Sequence, residues 1–194
     1  GYFIRMFTKV VWMTTVHSDP RNDFLGRGLK GNLFTKLNLT VLKKPDHYFA
    51  ISKRFAEMMG DFGVQQKKIT TILNGIDFDK KSTIKISYKD LKLNPQDFVI
   101  LMVARFDPVK RHELAIIAME KVLKKYPSAK LLFVGDGPAR QPMEELVKKI
   151  NLTESVLFLG HREGVESFYR LADITLLTSK TESFPLVLLE SSKE

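Results

Sequence analysis

The sequence predicts an α/β chain built on parallel sheet, and three observations carry that prediction. From residue 98 onward, short apolar runs alternate strictly with amphipathic helical segments, the order that parallel strands with crossover helices require. The runs are continuously apolar, as expected of strands covered on both faces. The composition is globular, with 44% hydrophobic and 27% charged residues among 194, which rules out disordered, collagen-like and coiled-coil chains.

The elements follow in order. Residues 10–16, VVWMTTV, read as a buried strand. Residues 27–44 place Leu29, Leu33, Leu37 and Val41 at spacing four, with Lys30, Lys36, Lys43 and Lys44 among them. That is a basic amphipathic helix. Its stripe is expected either to pack on the sheet or to dock on an anionic bilayer. Residues 47–52, HYFAIS, form a short strand, Ser52 caps a helix over 53–63, and a strand over 68–77 ends in a Gly turn. The Lys-rich stretch 78–92 marks the domain boundary. Strands are then expected at 98–104, 130–134, 156–159 and 173–177, with helices at 111–125, 139–150 and 163–171 between them. Residues 185–190, PLVLLE, open a last helix. A strand so near the first residue and a helix so near the last lack partners, so the chain reads as a piece of a longer one.

Composition narrows the function. With no cysteine, disulfide scaffolds, thiolate zinc sites and cysteine nucleophiles are excluded. No run of 18 apolar residues spans a membrane, and Lys9 breaks the first apolar stretch, unlike a cleavable leader. A cytoplasmic location is expected. The net charge is +9, and it is uneven: residues 1–74 hold 12 basic and 5 acidic side chains, the remainder 19 and 17. No stripe of interleaved aromatic and basic residues accompanies the surplus, which argues against a nucleic-acid partner.

Ligands of open α/β sheets bind beyond the carboxyl ends of the strands, and the unusual residues gather there. The first strand of the second region is followed by Arg105-Phe-Asp-Pro-Val-Lys110, the second by Gly135-Asp-Gly-Pro138, the third by Gly160-His161 and the fourth by Thr178-Ser-Lys-Thr-Glu182-Ser-Phe-Pro185. Arg105 and Lys110 suit a diphosphate, one as a fork of donors and the other as a compact charge; as loop residues they also suit plain solvation. The Gly135 turn does not match GxGxxG, which disfavours a dinucleotide site. Glu182 and Glu190 stand eight residues apart, with Pro185 suited to the first helical position between them. His17 closes the first strand, where a structural role competes with a catalytic one. His47, His112 and His161 lack metal-ligand spacing, so no metal site is expected.

The segments TTVHSD (14–19), FAIS (49–52), ILNGID (72–77), VARFDPVK (103–110), FVGDGP (133–138), FLGH (158–161), LADI (171–174) and TESFPLVLLE (181–190) together resemble family 4 glycosyltransferases. The resemblance runs over nearly the whole chain, and its most specific piece is Glu182-x7-Glu190 with Arg105 and Lys110 upstream. It implies retaining enzymes of the GT-B fold, with two Rossmann-like domains. Residues 1–77 would be the remnant of the acceptor-side domain, and 78–194 the donor domain for the nucleotide-sugar, incomplete at its end. Among the family, bacterial polysaccharide-type members look most similar, judging from HSDPRNDF.

The resemblance also implies roles. Arg105 and Lys110 would neutralise the donor diphosphate, and Glu182 would contact the donor sugar. The backbone of Phe184, Pro185 and Leu186 would hold its hydroxyls and phosphate. Glu190 would bind the ribose, His161 would lie beside the base, and Gly135 would let the nucleotide pack close. His17 would reach the sugar from the other domain. No metal or other cofactor is implied. The partners would be a nucleotide-sugar and a sugar or lipid-linked acceptor, with peripheral contact at the inner face of an anionic membrane. Ser183 stands where the family often has Gly. A nucleotide-sugar epimerase and a non-catalytic nucleotide-binding module are the alternatives.

Overall fold

The computed structural model describes residues 7–21, 28–79 and 84–194. Residues 22–27, which include the start of the expected basic helix, and residues 80–83 of the expected linker lie outside the described residues. The chain divides into two compact units, Gly1–Gly75 and Ile76–Glu194, against an expected boundary after residue 77.

In the first unit, β1 (Met13–Val16), β2 (His47–Ala50) and β3 (Ile69–Thr71) pair in that order. Both ladders are parallel. The first strand begins later than residue 10, and just ahead of it the Trp12 N–H donates to the Asp46 carboxylate at 3.0 Å. Helix α1 (Gly28–Val41) lies between β1 and β2, and α2 (Lys53–Asp61) between β2 and β3. The Ser52 hydroxyl caps α2 by accepting from the Phe55 N–H at 3.3 Å, and the helix buries Phe55, Ala56 and Met59. Tyr48, fully buried, donates its hydroxyl proton to the Leu42 carbonyl.

The leucine stripe of α1 does not pack on this sheet. Leu29, Leu33 and Leu37 are 89%, 59% and 52% exposed, and only Val41 of the four is half-buried. The helix instead turns in the face carrying Gly31, its one buried residue, and Thr35, whose hydroxyl bonds back to the Gly31 carbonyl at 3.0 Å. Asn38 and Leu39 are half-buried on the same helix, while Leu29, Leu33 and Leu37 are left outside.

In the second unit, β4 (Phe98–Val103), β5 (Ala129–Val134), β6 (Val156–Phe158) and β7 (Ile174–Thr175) form a four-stranded parallel sheet in the order β6-β5-β4-β7. Alternate residues of β4 serve opposite faces. Ile100 and Met102 join Phe106, Ile116, Met119 and Val147 on the side of α3 (His112–Lys125) and α4 (Arg140–Lys149). Val99 and Leu101 join Phe168, Tyr169 and Leu171 on the side of α5 (Glu166–Leu171). The expected strand 173–177 is observed over two residues, Ile174–Thr175. It still ties to β4 beyond its ends, with Asp173 accepting from the Val99 N–H at 2.7 Å and Leu176 donating to Leu101 at 2.9 Å. Helix α6 (Leu186–Lys193) ends the fold. No helix among the described residues is long and apolar enough to cross a membrane.

Two features at the carboxyl end of β4 fix the floor of the site. Glycines 135 and 137 have positive φ, and a Cβ on them would stand 2.1 Å from the Ala104 carbonyl oxygen and 2.4 Å from that of Phe106. Gly135 thus serves close approach within the chain itself. The other feature is His112, 2% exposed and stacked on Phe106 at 4.0 Å between centroids. Burial and the neighbouring Lys110 push its pKa down to about 4, opposed by a hydrogen bond with the Ala104 backbone.

Both features have measurable consequences. Gly135→Ala is expected to destabilise by about 2 kcal/mol or more, because the carbonyl it meets is backbone and cannot swing aside; urea unfolding reads this out. His112 binds its proton more tightly unfolded, near 6.5, than folded, near 4. Stability is therefore expected to fall as pH drops through that window, since there the unfolded state holds more protons. His112→Phe, which keeps the stacked ring, should flatten that part of the pH dependence.

Candidate functional site

Strand order in the second sheet reverses at β4: the chain moves outward through β5 and β6, then returns to place β7 on the other side of β4. Such a reversal opens a crevice between the loops leaving the two strands on either side of it. The loops here follow β4 and β7, and backbone bonds hold them together. The Lys180 N–H donates to the Val109 carbonyl at 2.9 Å. Further along the edge, Phe106 donates to Asp136 at 3.0 Å and Gly135 to Gly160 at 2.8 Å. The four loops singled out in the sequence thus form one connected rim.

Lys110 and Glu182 meet in this rim. The Lys110 ammonium donates to the Glu182 carboxylate at 2.6 Å, across 72 residues of sequence, with both side chains about a quarter exposed. Lys110 ends a short 3₁₀ turn, Pro108–Lys110, which Asp107 caps by accepting from the Val109 N–H at 3.2 Å. An ammonium has three donors, so this one can hold Glu182 and an anionic ligand together. At this exposure an ion pair is worth about 1 kcal/mol or less; its importance here is placement.

The other expected residues fall as follows. Arg105 is exposed on the same loop, and its guanidinium makes no ion pair with any described residue. His161 is exposed beside Gly160, on the rim. Glu190 is half-buried in α6, where its carboxylate accepts from the Tyr169 hydroxyl at 3.1 Å. Desolvation and the Glu190 charge push the Tyr169 phenol far above its ordinary range, so it stays a donor. Pro185 is not the first helical residue but the cap before it, with ψ 86. The Leu186 N–H donates to the Phe184 carbonyl at 3.0 Å, and Pro185 has no N–H, so the backbone of this turn is partly committed within the chain. His17 is exposed after β1 in the first unit. No group of three His, Asp or Glu that would suit a metal ion occurs among the described residues.

Two residues at this site escaped sequence reasoning. Thr178 donates its hydroxyl toward the carbonyls of Lys110 at 2.8 Å and Arg111 at 2.9 Å. Tyr169 holds Glu190. Neither contact leaves a sequence signal, since the partners lie 68, 67 and 21 residues away; the tyrosine reads only as part of an apolar helix face.

Comparison with known proteins gives two family matches, "Glycosyl transferases group 1" over residues 84–193 and "Glycosyltransferase Family 4" over residues 2–80. The chain is 31% identical over 153 residues to the N-acetyl-alpha-D-glucosaminyl L-malate synthase of Bacillus anthracis, covering 77% of this chain and 40% of that protein. It is 28% identical to the alpha-monoglucosyldiacylglycerol synthase of Streptococcus pneumoniae, over 98% of this chain and 46% of that protein. The chain therefore spans less than half the length of these curated relatives. Among solved structures, the sucrose-phosphate synthase of Thermosynechococcus elongatus aligns with a TM-score of 0.77 at 22% identity, over 98% of this chain and 50% of that one. HepE of Anabaena, in complex with UDP and glucose, aligns with a TM-score of 0.75 at 22% identity, over 93% and 50%. These likenesses show the GT-B fold with its Rossmann-like parallel sheets. With more than half of its residues inside the first match, the chain belongs to the group 1 glycosyl transferases, and the match of its first 80 residues is consistent with a family 4 glycosyltransferase.

Proposed function

We propose that this protein transfers a sugar from a nucleotide-sugar donor to a sugar or lipid-linked acceptor, with retention at the anomeric carbon, in the building of polysaccharides or glycoconjugates. The observation that carries the reading is the Lys110–Glu182 contact of 2.6 Å at the strand-order reversal. It sets a cation suited to a diphosphate directly beside a carboxylate suited to the sugar hanging from that diphosphate. The names of the curated relatives, a glucosaminyl-malate synthase and a glucosyldiacylglycerol synthase, support the same class.

In this reading Lys110 and Arg105 supply the counter-charge that a metal ion supplies in other transferases. Lys110 engages the diphosphate with the donors that Glu182 leaves, and the exposed Arg105 adds its fork. Glu182 meets the sugar, where positive charge develops as the anomeric bond breaks. Glu190, steadied by Tyr169, takes the ribose, which does not change during reaction. His161 lies beside the base, and Phe184, Pro185 and Leu186 hold the sugar hydroxyls and phosphate, the Leu186 N–H only once its bond to Phe184 opens. A role for His17 toward the sugar rests on the family resemblance.

A second reading concerns place. The exposed Leu29, Leu33 and Leu37 of α1 sit among Lys30, Lys36, Lys43 and Lys44. That is the composition of a helix lying in an anionic membrane interface. We propose peripheral contact through this face, at the inner leaflet, where a lipid-linked acceptor would be met.

Kinetics tests the assignments. Lys110→Ala should weaken donor binding at least about tenfold, as expected when a charge partner of a buried phosphate is lost; unchanged affinity in calorimetry removes the diphosphate role. Glu182→Gln should lower kcat strongly, while Glu190→Gln should mainly raise donor KM, because one contact tightens in the transition state and the other is uniform. The same pattern in both mutants would overturn the division of labour. Turnover should survive saturating chelator. For the membrane face, co-sedimentation with phosphatidylglycerol vesicles at low salt is expected and should weaken in Leu33→Ser/Leu37→Ser; no binding to such vesicles rejects docking.

A further inference from the structure

Arg111, the residue directly after Lys110, adopts the left-handed conformation, with φ 54 and ψ 48. It also begins α3 with no side-chain cap. A residue other than glycine rarely holds that conformation unless its surroundings impose it, and such strain gathers at functional sites. Here the imposing contact comes from the far side of the strand-order reversal. The Thr178 hydroxyl reaches the carbonyls on both sides of Arg111, those of Lys110 and of Arg111 itself, at 2.8 and 2.9 Å. One proton shared between two carbonyls is a three-centre bond, and it ties the Thr178 loop to both sides of the strained residue; Met102 Sδ lies farther from the same hydroxyl, at 3.7 Å. Asp107 fixes the start of the same turn, so the segment is held at both ends.

We propose that Thr178 is a positioning residue for Lys110: its hydroxyl locks the Lys110–Arg111 turn so that the ammonium stays at Glu182 and faces the donor diphosphate. The inference rests on the diphosphate role proposed for Lys110 and adds the element that makes it effective. Within the chain the Thr178 hydroxyl is committed to the Lys110 and Arg111 carbonyls. Relaxing the turn would let the Lys110 stem swing away from Glu182, and a mobile cation binds phosphate less well than one held in place. The loop after β7 thereby serves twice, presenting Glu182 to the sugar and, four residues earlier, setting the cation that Glu182 contacts.

The test compares Thr178→Val, Thr178→Ser and Lys110→Ala with the unaltered chain, by calorimetric titration with UDP, GDP and ADP and by thermal unfolding. Valine keeps the shape and removes the proton, while serine keeps the proton. The expected result is that Lys110→Ala weakens nucleotide binding at least about tenfold and Thr178→Val weakens it about fivefold, the loss expected for one hydrogen bond, with Thr178→Ser within about twofold of the unaltered chain. In turnover, Thr178→Val should raise donor KM with kcat little changed. If Lys110→Ala binds weakly but Thr178→Val binds normally, the positioning role is overturned and the diphosphate reading stands. If Thr178→Ser fails to restore binding, threonine acts by packing and the inference is likewise overturned. Unchanged binding in Lys110→Ala, or no binding of any of the three nucleotides by the unaltered chain, overturns the diphosphate reading itself.

Discussion

The reversal of strand order between β4 and β7 is the constraint on which the second unit depends. Parallel strands send all their following loops to one edge of the sheet, and a reversal splays the two loops that leave the middle. A chain wound in one direction only would have placed the loops of Lys110 and Glu182 apart, with β5 and β6 between their strands. Instead they are neighbours, sealed by the Lys180–Val109 backbone bond and the Thr178 hydroxyl. The ion pair of Lys110 and Glu182 is a product of that topology. It adds little stability at its exposure, yet it brings opposite charges together where a charged donor would be held.

The rim rests on a floor that tolerates little change. Gly135 and Gly137 lie so close to the Ala104 and Phe106 carbonyls that only hydrogen fits. Beneath them Phe106 and His112 stack, with Phe133 edge-on to both. His112 carries one buried ring nitrogen without a partner among the described residues, a cost accepted for a flat ring packed under the loop. The result is a rigid base from which the Arg105–Lys110 segment rises. Rigidity below and strain at Arg111 above are two parts of one arrangement, because a strained turn persists only on a base that does not yield.

The first unit shows a different balance. Its three-stranded parallel sheet is covered well by α2, whose Phe55 and Met59 are buried. Helix α1 buries Gly31 and leaves Leu29, Leu33 and Leu37 exposed. Those leucines and the basic surplus of this third of the chain are the observations on which the proposed membrane contact rests.

The sequence by itself determined the elements and the cast of the site. Continuous apolar runs such as FVILMV and KLLFV, alternating with helical segments, read as covered strands, and Ser52 before KRF marks a helix start, because those signals are local. Arg105, Lys110 and Glu182 are legible in loops after strands and Glu190 in the helix that follows, and the resemblance rests on eight short segments in order. Other features waited for the tertiary structure. Spacing four on α1 shows that a stripe exists but not which face turns inward; the buried residue is Gly31, outside the stripe. Gly135 reads as room for a ligand, whereas the Ala104 carbonyl supplies its reason within the chain. Thr178 and Tyr169 carry no motif, since their partners lie far along the chain. Periodicity and capping report what a residue does to its near neighbours. Which side chains meet across a reversal in strand order is set only when the sheet is assembled.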